Sequence, residues 1–595
     1  MKYTAKQIKK TFLDYFTQNG HTQITNKSIV PHDDPSLLFI NAGMAPMKRV
    51  FSGEEQPVSK RMCNVQTCIR TNDIDSIGDR HHLCAFNMLG SWSIGDYFKE
   101  GAITFAFNLL TKNFGIPAEK LYVTVFSGDE EKNIPADEDS AGFWQKVGID
   151  KNHIVKCGFD DNFWSMGDNP GPCGPCTEVF YDTGAQHGPS YEETGIFDTK
   201  KRYIEIWNAG VFMQYYKDEN GNRTELPFKS VDTGSGLERL LITLNGLESV
   251  YDTEIYLPII EFVKSHSTNP NERSLRIIAE HANSSTHILN AGVDPSNVKR
   301  GYILRRLMRR LMRHLRVVGC DEQYLAEIYS ITIDNMNETE LNPDWQLSKD
   351  EILAKVKLEQ DKFSKMLEQG LKAFNQFTKF PNNIENGKIN SKLVFKLFDT
   401  FGFPFEMTQE LAEENGYTVD EQEFNQLLEK HKEISRGNVT PHEFKSGLAD
   451  NSDNTIRLHT ATHLLHCALR HFFGTDLGQK GSNITPERLR FDFNLDHKMT
   501  DEEIKQVEDY VNDLISKEIP VVREEMPYDE AVKQNALGLF KDRYDGTVSV
   551  YTIGEYSKEI CRGPHVNNTK ELHHFKIQKE ESSSAGIRRI KAILD

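Results

Sequence analysis

The sequence predicts an α+β protein of several domains, because three stretches of the chain differ in character. Residues 1–245 mix short apolar runs with Gly, Pro and Asp turns, which is typical of an antiparallel sheet with helices. Residues 246–445 contain long amphipathic segments, such as 351–372 and 421–434, and predict an all-helical domain. Residues 455–595 return to a compact α+β pattern after the polar stretch 446–454, which we interpret as a linker.

The composition limits the classes of function. The chain has 595 residues, with 70 Lys and Arg against 88 Asp and Glu, a formal net charge of −18. No overall positive field attracts nucleic acid, so any such contact needs a local basic patch. The nine cysteines are an odd number in a long charged chain, which indicates a reducing compartment. Without a signal-like or membrane-spanning apolar run, we expect a cytoplasmic protein with no membrane contact.

The stretch DTGSGLERL at 232–240 predicts a strand, a glycine-containing turn and the start of an amphipathic helix. Gly234 and Gly236 allow the backbone to approach a ligand closely, and the helix start offers free N–H groups. Arg239 carries a planar fork suited to a polyphosphate, and Asp232 suits a cation such as an amino acid's ammonium group. The alternative is a packing junction that binds nothing.

A basic helix is predicted at 299–316, which contains eight Lys or Arg and no acidic residue. One helix side is apolar; the other carries Arg305, Arg306, Arg309, Arg310, Arg313 and Arg316. Charge runs of this kind commonly find carboxylate partners elsewhere in the chain. Because this helix supplies no acidic residue of its own, we favour contact with a nucleic-acid backbone.

The last predicted domain contains a helix near 456–473, a strand at 488–493, a helix at 501–517 and strands at 547–553 and 573–578. Its motif HTATH at 459–463 places two imidazoles one helical turn apart, and CRGPH at 561–565 adds a thiolate and a third imidazole. Three nitrogens and one sulfur suit tetrahedral Zn²⁺. The predicted ligands are His459, His463, Cys561 and His565. The alternative is surface histidines and a core thiol; we place His466 behind the ligands or at the surface.

Taken together, the motifs resemble the alanyl-tRNA synthetase family of class II aminoacyl-tRNA synthetases over essentially the whole chain. The matching stretches are FLDYFTQNGH at 12–21, DPSLLFINAGM at 34–44, CIRTND at 68–73, MLG at 88–90, GDYF at 95–98, FWSMG at 163–167, GPCGPC at 171–176, WN at 207–208 and DTGSGLER at 232–239. Few of these stretches are specific alone, but their order along the chain is.

The resemblance implies a catalytic domain with a six- or seven-stranded antiparallel sheet that binds ATP, Mg²⁺ and L-alanine. Arg70 would bridge the alanine carboxylate and the α-phosphate of ATP, because adenylyl transfer depends on positioning and charge neutralisation. Asp232 would hold the ammonium group, and Arg239 would bind the γ-phosphate. The remaining ATP- and amino-acid-binding residues would be Met88, Trp164 (a wall of the side-chain pocket), Asn208, Val211, Gly234 and Gly236.

For the helical domain, the resemblance implies recognition of the acceptor stem of alanine tRNA. DPSN at 294–297 and LFDTFGFP at 397–404 match family stretches with this role. We expect Asn297 and Asp399 to recognise the G·U wobble pair, whose minor-groove edges offer a donor and acceptors. Residues that cap helices would look the same in the sequence.

The last domain resembles the family's editing domain, also through LRFDF at 489–493 and AGIRRI at 585–590. It would hydrolyse tRNA mischarged with serine or glycine, because a pocket sized for one methyl group rejects such side chains poorly. The zinc ion would orient the substrate or activate water. CRGPH is closer to the threonyl-tRNA synthetase motif, and the family's Gly-Gly-Gln barrel has no counterpart at 440–456.

Other features distinguish this chain from the common family pattern. The loop 71–82 is shorter, and the family's C-terminal tRNA-binding and dimerisation module has no counterpart after Asp595, so we expect a monomer. A threonyl-tRNA synthetase is the rival enzyme, but there the editing module precedes the catalytic core. A non-catalytic tRNA-binding relative is the rival from another class, and it would not require Arg70, Asp232 and Arg239 together.

Overall fold

The computed structural model describes residues 2–31, 37–165, 170–197, 202–436, 452–475, 477–534, 536–537, 547–561, 563–584 and 587–595. The chain forms two compact units, Met1–Leu428 and Glu429–Asp595. The predicted division of the first unit near residue 245 stays a prediction. The predicted linker 446–454 lies mostly outside the described residues. No described helix combines the length and the apolar character that a bilayer crossing needs.

The first unit contains eleven described strands and most of the helices. The strands are β1 Thr22–Gln23, β2 Arg61–Ile69, β3 Ala85–Ile94, β4 Leu121–Phe126, β5 Ile154–Cys157, β6 Phe163–Trp164, β7 Gly171–Asp182, β8 Tyr203–Lys217, β9 Arg223–Gly236, β10 Ile384–Glu385 and β11 Lys388–Ile389. The helices are α1 Ala5–Gln18, α2 Lys48–Phe51, α3 Lys99–Asn108, α4 Glu138–Val147, α5 Phe159–Asn162, α6 Tyr191–Thr194, α7 Leu237–Asn245, α8 Leu257–Ser265, α9 Glu272–Asn290, α10 Lys299–Val317, α11 Leu325–Glu338, α12 Lys349–Thr378, α13 Ser391–Phe401, α14 Phe405–Glu414 and α15 Glu421–Arg436.

Six antiparallel strands form the centre of the main sheet, in the order β2-β3-β9-β8-β7-β4. Strands β1 and β5 extend it in parallel at the two edges, and β6 pairs with β7. Helix α1 begins with a capping box formed by Thr4 and Gln7, and it buries Phe12 and Phe16 against Trp207 of β8. This arrangement confirms the α+β prediction and the antiparallel class II sheet.

The helical part of the first unit continues the same hydrophobic core. Residues of α9, α10 and α12 belong to one cluster with residues of the sheet and α1. Helix α9 is buried over most of its length, including polar residues such as Glu280 and His281. Because buried polar groups need partners, α9 is a place where hydrogen bonds between elements are expected.

The second unit contains helices α16 Asp453–Phe473, α17 Asp501–Ser516 and α18 Tyr528–Lys533. Its strands are β12 Gln479–Thr485, β13 Arg488–Asn494, β14 Val521–Pro527, β15 Thr547–Ile553, β16 Ser557–Ile560, β17 Phe575–Ser584 and β18 Ile587–Leu594. They form two antiparallel sheets, β12-β13-β18-β17 and β14-β15-β16. On β13, Leu489, Phe491 and Phe493 alternate into the core against α16 and α17, so the predicted elements are confirmed.

Several short helical turns connect these elements. Within the described residues they are Ala45–Met47, Ile74–Ser76, Leu109–Asn113, Ala118–Lys120, Lys151–His153, Ala185–His187, Val250–Asp252, Glu322–Tyr324, Pro381–Asn383 and Thr569–Leu572. The turn Ile74–Ser76 lies in the connection between β2 and β3, shortly after Arg70.

One local prediction is wrong. No turn separates strand from helix at 232–240, because β9 extends through Gly236 and α7 begins at Leu237. Gly234 is needed inside the strand for packing: a Cβ there would lie 2.9 Å from Sδ of Met88. Helix α7 ends at Asn245, and Gly246 adopts a left-handed φ of 63°, a backbone conformation that favours glycine.

Candidate active site and metal centre

Strand register brings the predicted amino-acid-binding residues together. Asp232 of β9 lies opposite Trp92 of β3 and opposite Val211 of β8. Two residues further along β9, Gly234 lies opposite Gly90 and Asn208, and Gly236 lies opposite Met88. Asp232, Gly234 and Gly236 alternate along one strand and therefore share a face of the sheet.

Asp232 is half-buried, and its carboxylate has one hydrogen-bond partner among the described residues. The indole Nε1 of Trp92 donates a hydrogen bond of 2.7 Å to its Oδ1. Burial raises the pKa of Asp232 to about 7, although the hydrogen bond from Trp92 lowers it. Among the described residues, no basic side chain forms an ion pair with Asp232, so a bound cation would find this acceptor available.

A cavity of about 630 Å³ lies beside this part of the sheet, and its lining includes Asn41, Met44, Arg70 and Trp164. Trp164 and Met44 also belong to an apolar cluster with Trp92 and Val211, the neighbours of Asp232. Arg70 is exposed: its Nε donates to the carbonyl of Asn41 at 3.2 Å, and its guanidinium lies 4.9 Å from the ring centre of Phe86.

A second, smaller cavity of about 100 Å³ shares Arg70 with the first and is also lined by Met88, Gly234, Gly236 and Arg239. The two predicted phosphate-binding arginines therefore face one continuous region. Arg239 forms an ion pair with Glu205, with Nη1 and Oε2 2.7 Å apart. The structure thus gathers both arginines at the cavity that Gly234 and Gly236 line.

Two carboxylates beside Arg239 were not predicted from the sequence. Burial raises the pKa of Glu178 well above its ordinary value, and the negative charge of Glu205 raises it further. Asn208 donates to Oε1 of Glu178 at 3.3 Å. Two carboxylates that repel each other favour a nearby positive charge, either Arg239 or a divalent cation.

The four predicted metal ligands converge in the second unit. The donor atoms of His459, His463, Cys561 and His565 all lie within 4.8 Å of one another. The donors come from α16 and from the segment that follows β16. The convergence agrees with the predicted ligand set.

Hydrogen bonds orient two of the three imidazoles of the cluster, and a carboxylate lies beside the third. The Nδ1 atom of His459 lies 3.0 Å from the carbonyl of Pro564, and that of His565 lies 3.1 Å from Oγ1 of Thr460. Oε2 of Glu559 lies 3.2 Å from Nδ1 of His463. Nε2 of His459 and of His565 therefore remains available to a metal, and Nε2 of His565 and Nδ1 of His463 are buried without a hydrogen-bond partner. This donor set fits a zinc ion.

Electrostatics agree with a thiolate in the cluster. Burial raises the pKa of Cys561, but hydrogen bonds with His459, His463 and His565 outweigh it and lower the value to about 3. His466 is buried rather than exposed, and its Nδ1 lies 3.1 Å from Oε1 of Glu559. His466 therefore supports the ligands indirectly, as one of the two predicted alternatives.

The prediction of an exposed row of guanidinium groups on α10 is wrong. Arg306, Arg309, Arg310 and Arg313 are 7%, 5%, 5% and 2% exposed. Their partners are carboxylates from distant segments: Asp75 and Glu406 for Arg306, Glu359 for Arg309, Glu410 for Arg310, and Glu410 and Glu414 for Arg313. A charge run without local acidic residues has found its counter-ions through the tertiary fold.

The other predicted tRNA-binding residues lie nearer the surface. Asn297 is exposed, and its Oδ1 accepts a hydrogen bond from the half-buried Arg305. Arg305 also donates to the carbonyl of Pro295 at 3.1 Å and lies 3.4 Å from Glu359. Asp399 is exposed near the end of α13. Asn297 and Asp399 are therefore accessible to a ligand.

Four neighbours of the predicted site residues were missed because each lies far from its partner in the chain. Trp92 contacts Asp232, Glu178 contacts Asn208, Glu205 contacts Arg239, and Glu559 contacts His463. Only Glu559 left a usable signal, since it precedes the predicted ligand Cys561 by two residues.

Comparison with known proteins agrees with this geometry. Residues 7–471 match the family model of tRNA synthetases class II (A), and residues 548–591 match that of the threonyl and alanyl tRNA synthetase second additional domain. The alanine–tRNA ligase of Borrelia hermsii is 45% identical over 602 residues, covering 99% of each chain. That of Treponema denticola is 44% identical and covers 100% of this chain and 99% of its own.

The alanine–tRNA ligase of a Thermotoga strain is 35% identical, and the match covers 100% of this chain but 80% of that protein. The spirochaete relatives are thus matched over nearly their full length, and the Thermotoga relative is longer. These matches extend through both units and agree with the order of motifs in the sequence. The chain belongs to the alanine–tRNA ligase family of class II tRNA synthetases.

Proposed function

We propose that this chain activates L-alanine with ATP to form alanyl-adenylate and pyrophosphate, and then transfers alanine to the 3′ end of alanine tRNA. The observation that carries the proposal is the arrangement on β9. Asp232, a half-buried carboxylate with no ion-pair partner among the described residues, stands on the same strand face as Gly234 and Gly236, beside cavities lined by Arg70 and Arg239. A carboxylate for an ammonium group and two guanidinium groups for phosphates are what amino-acid adenylation requires.

Each residue has a role that its surroundings support. Asp232 would bind the ammonium group of alanine, and Trp164 would close the pocket around the methyl group together with Val211. Arg70 would bridge the alanine carboxylate and the α-phosphate. Arg239 would exchange its ion pair with Glu205 for the γ-phosphate. The nucleotide would lie in the cavity that Gly234 and Gly236 line, with Met88 and Asn208 at its border.

Mg²⁺ would accompany ATP. Glu178 and Glu205 interact with Arg239 and repel each other, and a divalent cation would relieve that repulsion. The cation would neutralise phosphate charge, while Asn208 holds Glu178 in place.

The central test is alanine-dependent exchange of pyrophosphate into ATP. Arg70→Ala removes the bidentate cation at the α-phosphate, and we expect the exchange rate to fall by about 100-fold or more. Alanine-dependent exchange at the wild-type rate in this variant would contradict the assignment. Running the wild-type chain with all twenty amino acids separates a ligase from a tRNA-binding relative, which would bind tRNA but support no exchange.

The pKa of Asp232 predicts a pH dependence. An ammonium group binds the ionised carboxylate, so below about pH 7 the free site is protonated and must lose a proton on binding. The KM for alanine should therefore rise by up to about tenfold per pH unit as the pH falls below 7. Asp232→Asn should give a high KM that does not change with pH; a wild-type KM that is flat between pH 6 and 8 would exclude this role.

We also propose that the helical part of the first unit recognises the acceptor stem through Asn297 and Asp399. Their exposure supports this role, and Arg305 holds Oδ1 of Asn297 so that its amide group points in a defined direction. Asn297→Ala should lower charging of alanine tRNA while leaving exchange unchanged. The buried arginines of α10 are not part of this proposal.

The second unit would bind Zn²⁺ through His459, His463, Cys561 and His565 and hydrolyse tRNA mischarged with serine or glycine. Four protein ligands complete a tetrahedron, which favours a structural or substrate-orienting ion over one that activates water. His463→Ala should lower the zinc content and the hydrolysis of seryl-tRNA; unchanged metal content would refute the ligand set. The expected monomeric state and cytoplasmic location stay predictions.

A further inference from the structure

The connection 70–84 between β2 and β3 carries Arg70 at its first position. Its two ends meet, because the backbone N–H of Arg70 donates to the carbonyl of Cys84 at 2.8 Å. The Arg70 side chain is exposed and makes a single hydrogen bond among those described, to the carbonyl of Asn41. The position of its guanidinium therefore depends on how the connection is held.

Helix α9 holds the end of the connection. Oε1 of Glu280 accepts the backbone N–H groups of Cys84 at 2.7 Å and of Ala85 at 3.2 Å, and Oγ of Ser284 accepts that of Ala85 at 3.0 Å. Glu280 is fully buried. A buried carboxylate that accepts backbone N–H groups forms strong, directional hydrogen bonds, so the start of β3 is fixed to α9.

His281 continues this contact to α10. Its Nδ1 lies 2.6 Å from Oε2 of Glu280, and its Nε2 lies 3.2 Å from Nη1 of Arg310. Since a guanidinium only donates, Nε2 must accept, and Nδ1 therefore carries the proton that is donated to Glu280. Burial lowers the pKa of His281, which agrees with the neutral ring that this arrangement needs.

Arg310 joins three elements through one planar group. Nη1 also donates to the carbonyl of Ile74 in the connection at 2.8 Å. Nε and Nη2 bind Oε2 and Oε1 of Glu410 on α14 at 3.1 and 2.9 Å. A lysine could not make these bonds together, because its ammonium is a single point on a flexible stem.

We propose that Glu280, His281 and Arg310 are positioning residues that hold the connection 70–84, and through it Arg70, in the geometry for adenylate formation. This inference rests on the proposed function. The contacts hold the connection at Ile74 and at Cys84. Weakening them would therefore move the backbone from which Arg70 extends. A displacement of about 1 Å at a reacting group can lower a rate by about 100-fold.

The chain offers a matched control on the same helix. Arg313 is as buried as Arg310 and also binds Glu410, at 3.2 Å, together with Glu414. Unlike Arg310, it makes no hydrogen bond to the connection 70–84 among the described residues. Arg310→Lys and Arg313→Lys therefore cause comparable loss of buried ion pairs but differ in contact with the connection.

The experiment measures alanine-dependent ATP–pyrophosphate exchange and the thermal midpoint of both variants in the full chain. Arg310→Lys should lower kcat/KM for ATP by about 10- to 100-fold, whereas Arg313→Lys should stay within about threefold of wild type at a similar thermal midpoint. Equal losses in both variants, or no loss in Arg310→Lys, would overturn the proposal.

A second substitution keeps the test independent of stability. Glu280→Gln retains one oxygen for the backbone N–H groups but turns an amide NH₂ toward the protonated Nδ1 of His281. If the three residues act as one unit, the loss in Glu280→Gln combined with Arg310→Lys should be much smaller than the product of the single losses. A loss in the double variant equal to the product of the two single losses would contradict the coupling of the three residues. If the wild-type chain shows no alanine-dependent exchange, the proposed function fails instead.

Discussion

The metal cluster and the arginine helix α10 were both predicted from reactive or charged side chains at short, regular spacings in the sequence. In the metal cluster, the donors lie within 4.8 Å of one another and two imidazole nitrogens are buried without a hydrogen-bond partner. In α10, the buried guanidinium groups are already bound to carboxylates of other segments. One prediction is therefore supported and the other is wrong.

The difference shows which chemical groups can be interpreted without knowing the fold. Histidine and thiolate donors gain from converging on each other only if a cation joins them, so two spaced pairs already describe a site. An arginine can be satisfied by any carboxylate, and a buried one must be. Its function depends on whether the fold supplies that carboxylate.

Removing the thiolate of the metal cluster should have the largest effect. Cys561→Ser leaves a hydroxyl that stays protonated at neutral pH, so the purified chain should hold less than about one tenth of the wild-type zinc. Cys467→Ser is the matched control, because Cys467 lies on α16 outside the cluster. Zinc content by elemental analysis decides; equal content in both variants would mean that the cluster is not a metal centre.

Neutralising the centre of the arginine cluster should have the next largest effect. Glu410→Gln leaves Arg273, Arg310 and Arg313 without their shared negative charge and should cost about 3–5 kcal/mol of the free energy of unfolding. Glu413→Gln, exposed on the same helix, should change it by less than about 0.5 kcal/mol. Urea unfolding measures the free energy of unfolding of both variants. A small loss in Glu410→Gln would contradict the role of Glu410 as the counter-ion that stabilises the arginine cluster.

The same carboxylate determines the sign of a pH effect. Burial raises the pKa of Glu410, but hydrogen bonds from His314 and Arg310 outweigh it and hold the value far below the ordinary 4.5. Its stabilising contribution is therefore complete above pH 4.5 and is lost as the pH falls below that value. The stability difference between the wild type and Glu410→Gln should not change between pH 6 and 8.

A smaller effect is expected at Glu559, which supports the cluster from behind. Glu559→Gln keeps the shape but removes the charge beside His463 and His466, and zinc affinity should fall by about 10- to 100-fold. Competition with a chelator measures the affinity. An unchanged affinity would show that Glu559 serves the fold rather than the metal.

The smallest effect is expected at Arg309 of α10, which the sequence predicted to contact a nucleic-acid phosphate. Arg309→Lys disturbs a buried ion pair with Glu359 but removes no exposed cation, so the salt dependence of tRNA binding should keep its slope. A lost phosphate contact would change that slope by about one unit. Titration of tRNA at several salt concentrations measures it, and such a change would restore the nucleic-acid interpretation of α10.

Much of the fold was predictable because the spacing of apolar residues indicates each helix or strand locally. Helix α16, strand β13, helix α17 and strand β15 lie within a few residues of their predicted bounds, since alternating or helical apolar patterns depend only on near neighbours. The ligand set of the metal cluster was equally local, with two donors on each of two short motifs. The glycine turn at 232–240 was wrong because tertiary pairing extended β9 through both glycines.

By itself, the sequence determined the element types, the order of the motifs and the residues that carry the proposed chemistry. Only the tertiary structure decided which charged side chains are paired with one another inside the protein. It placed Glu359 and Glu410 against α10, and Trp92 opposite Asp232, across separations of 50 to 140 residues. Such pairings follow from strand register and helix packing over the whole unit, and no short stretch of chain contains the information that selects them.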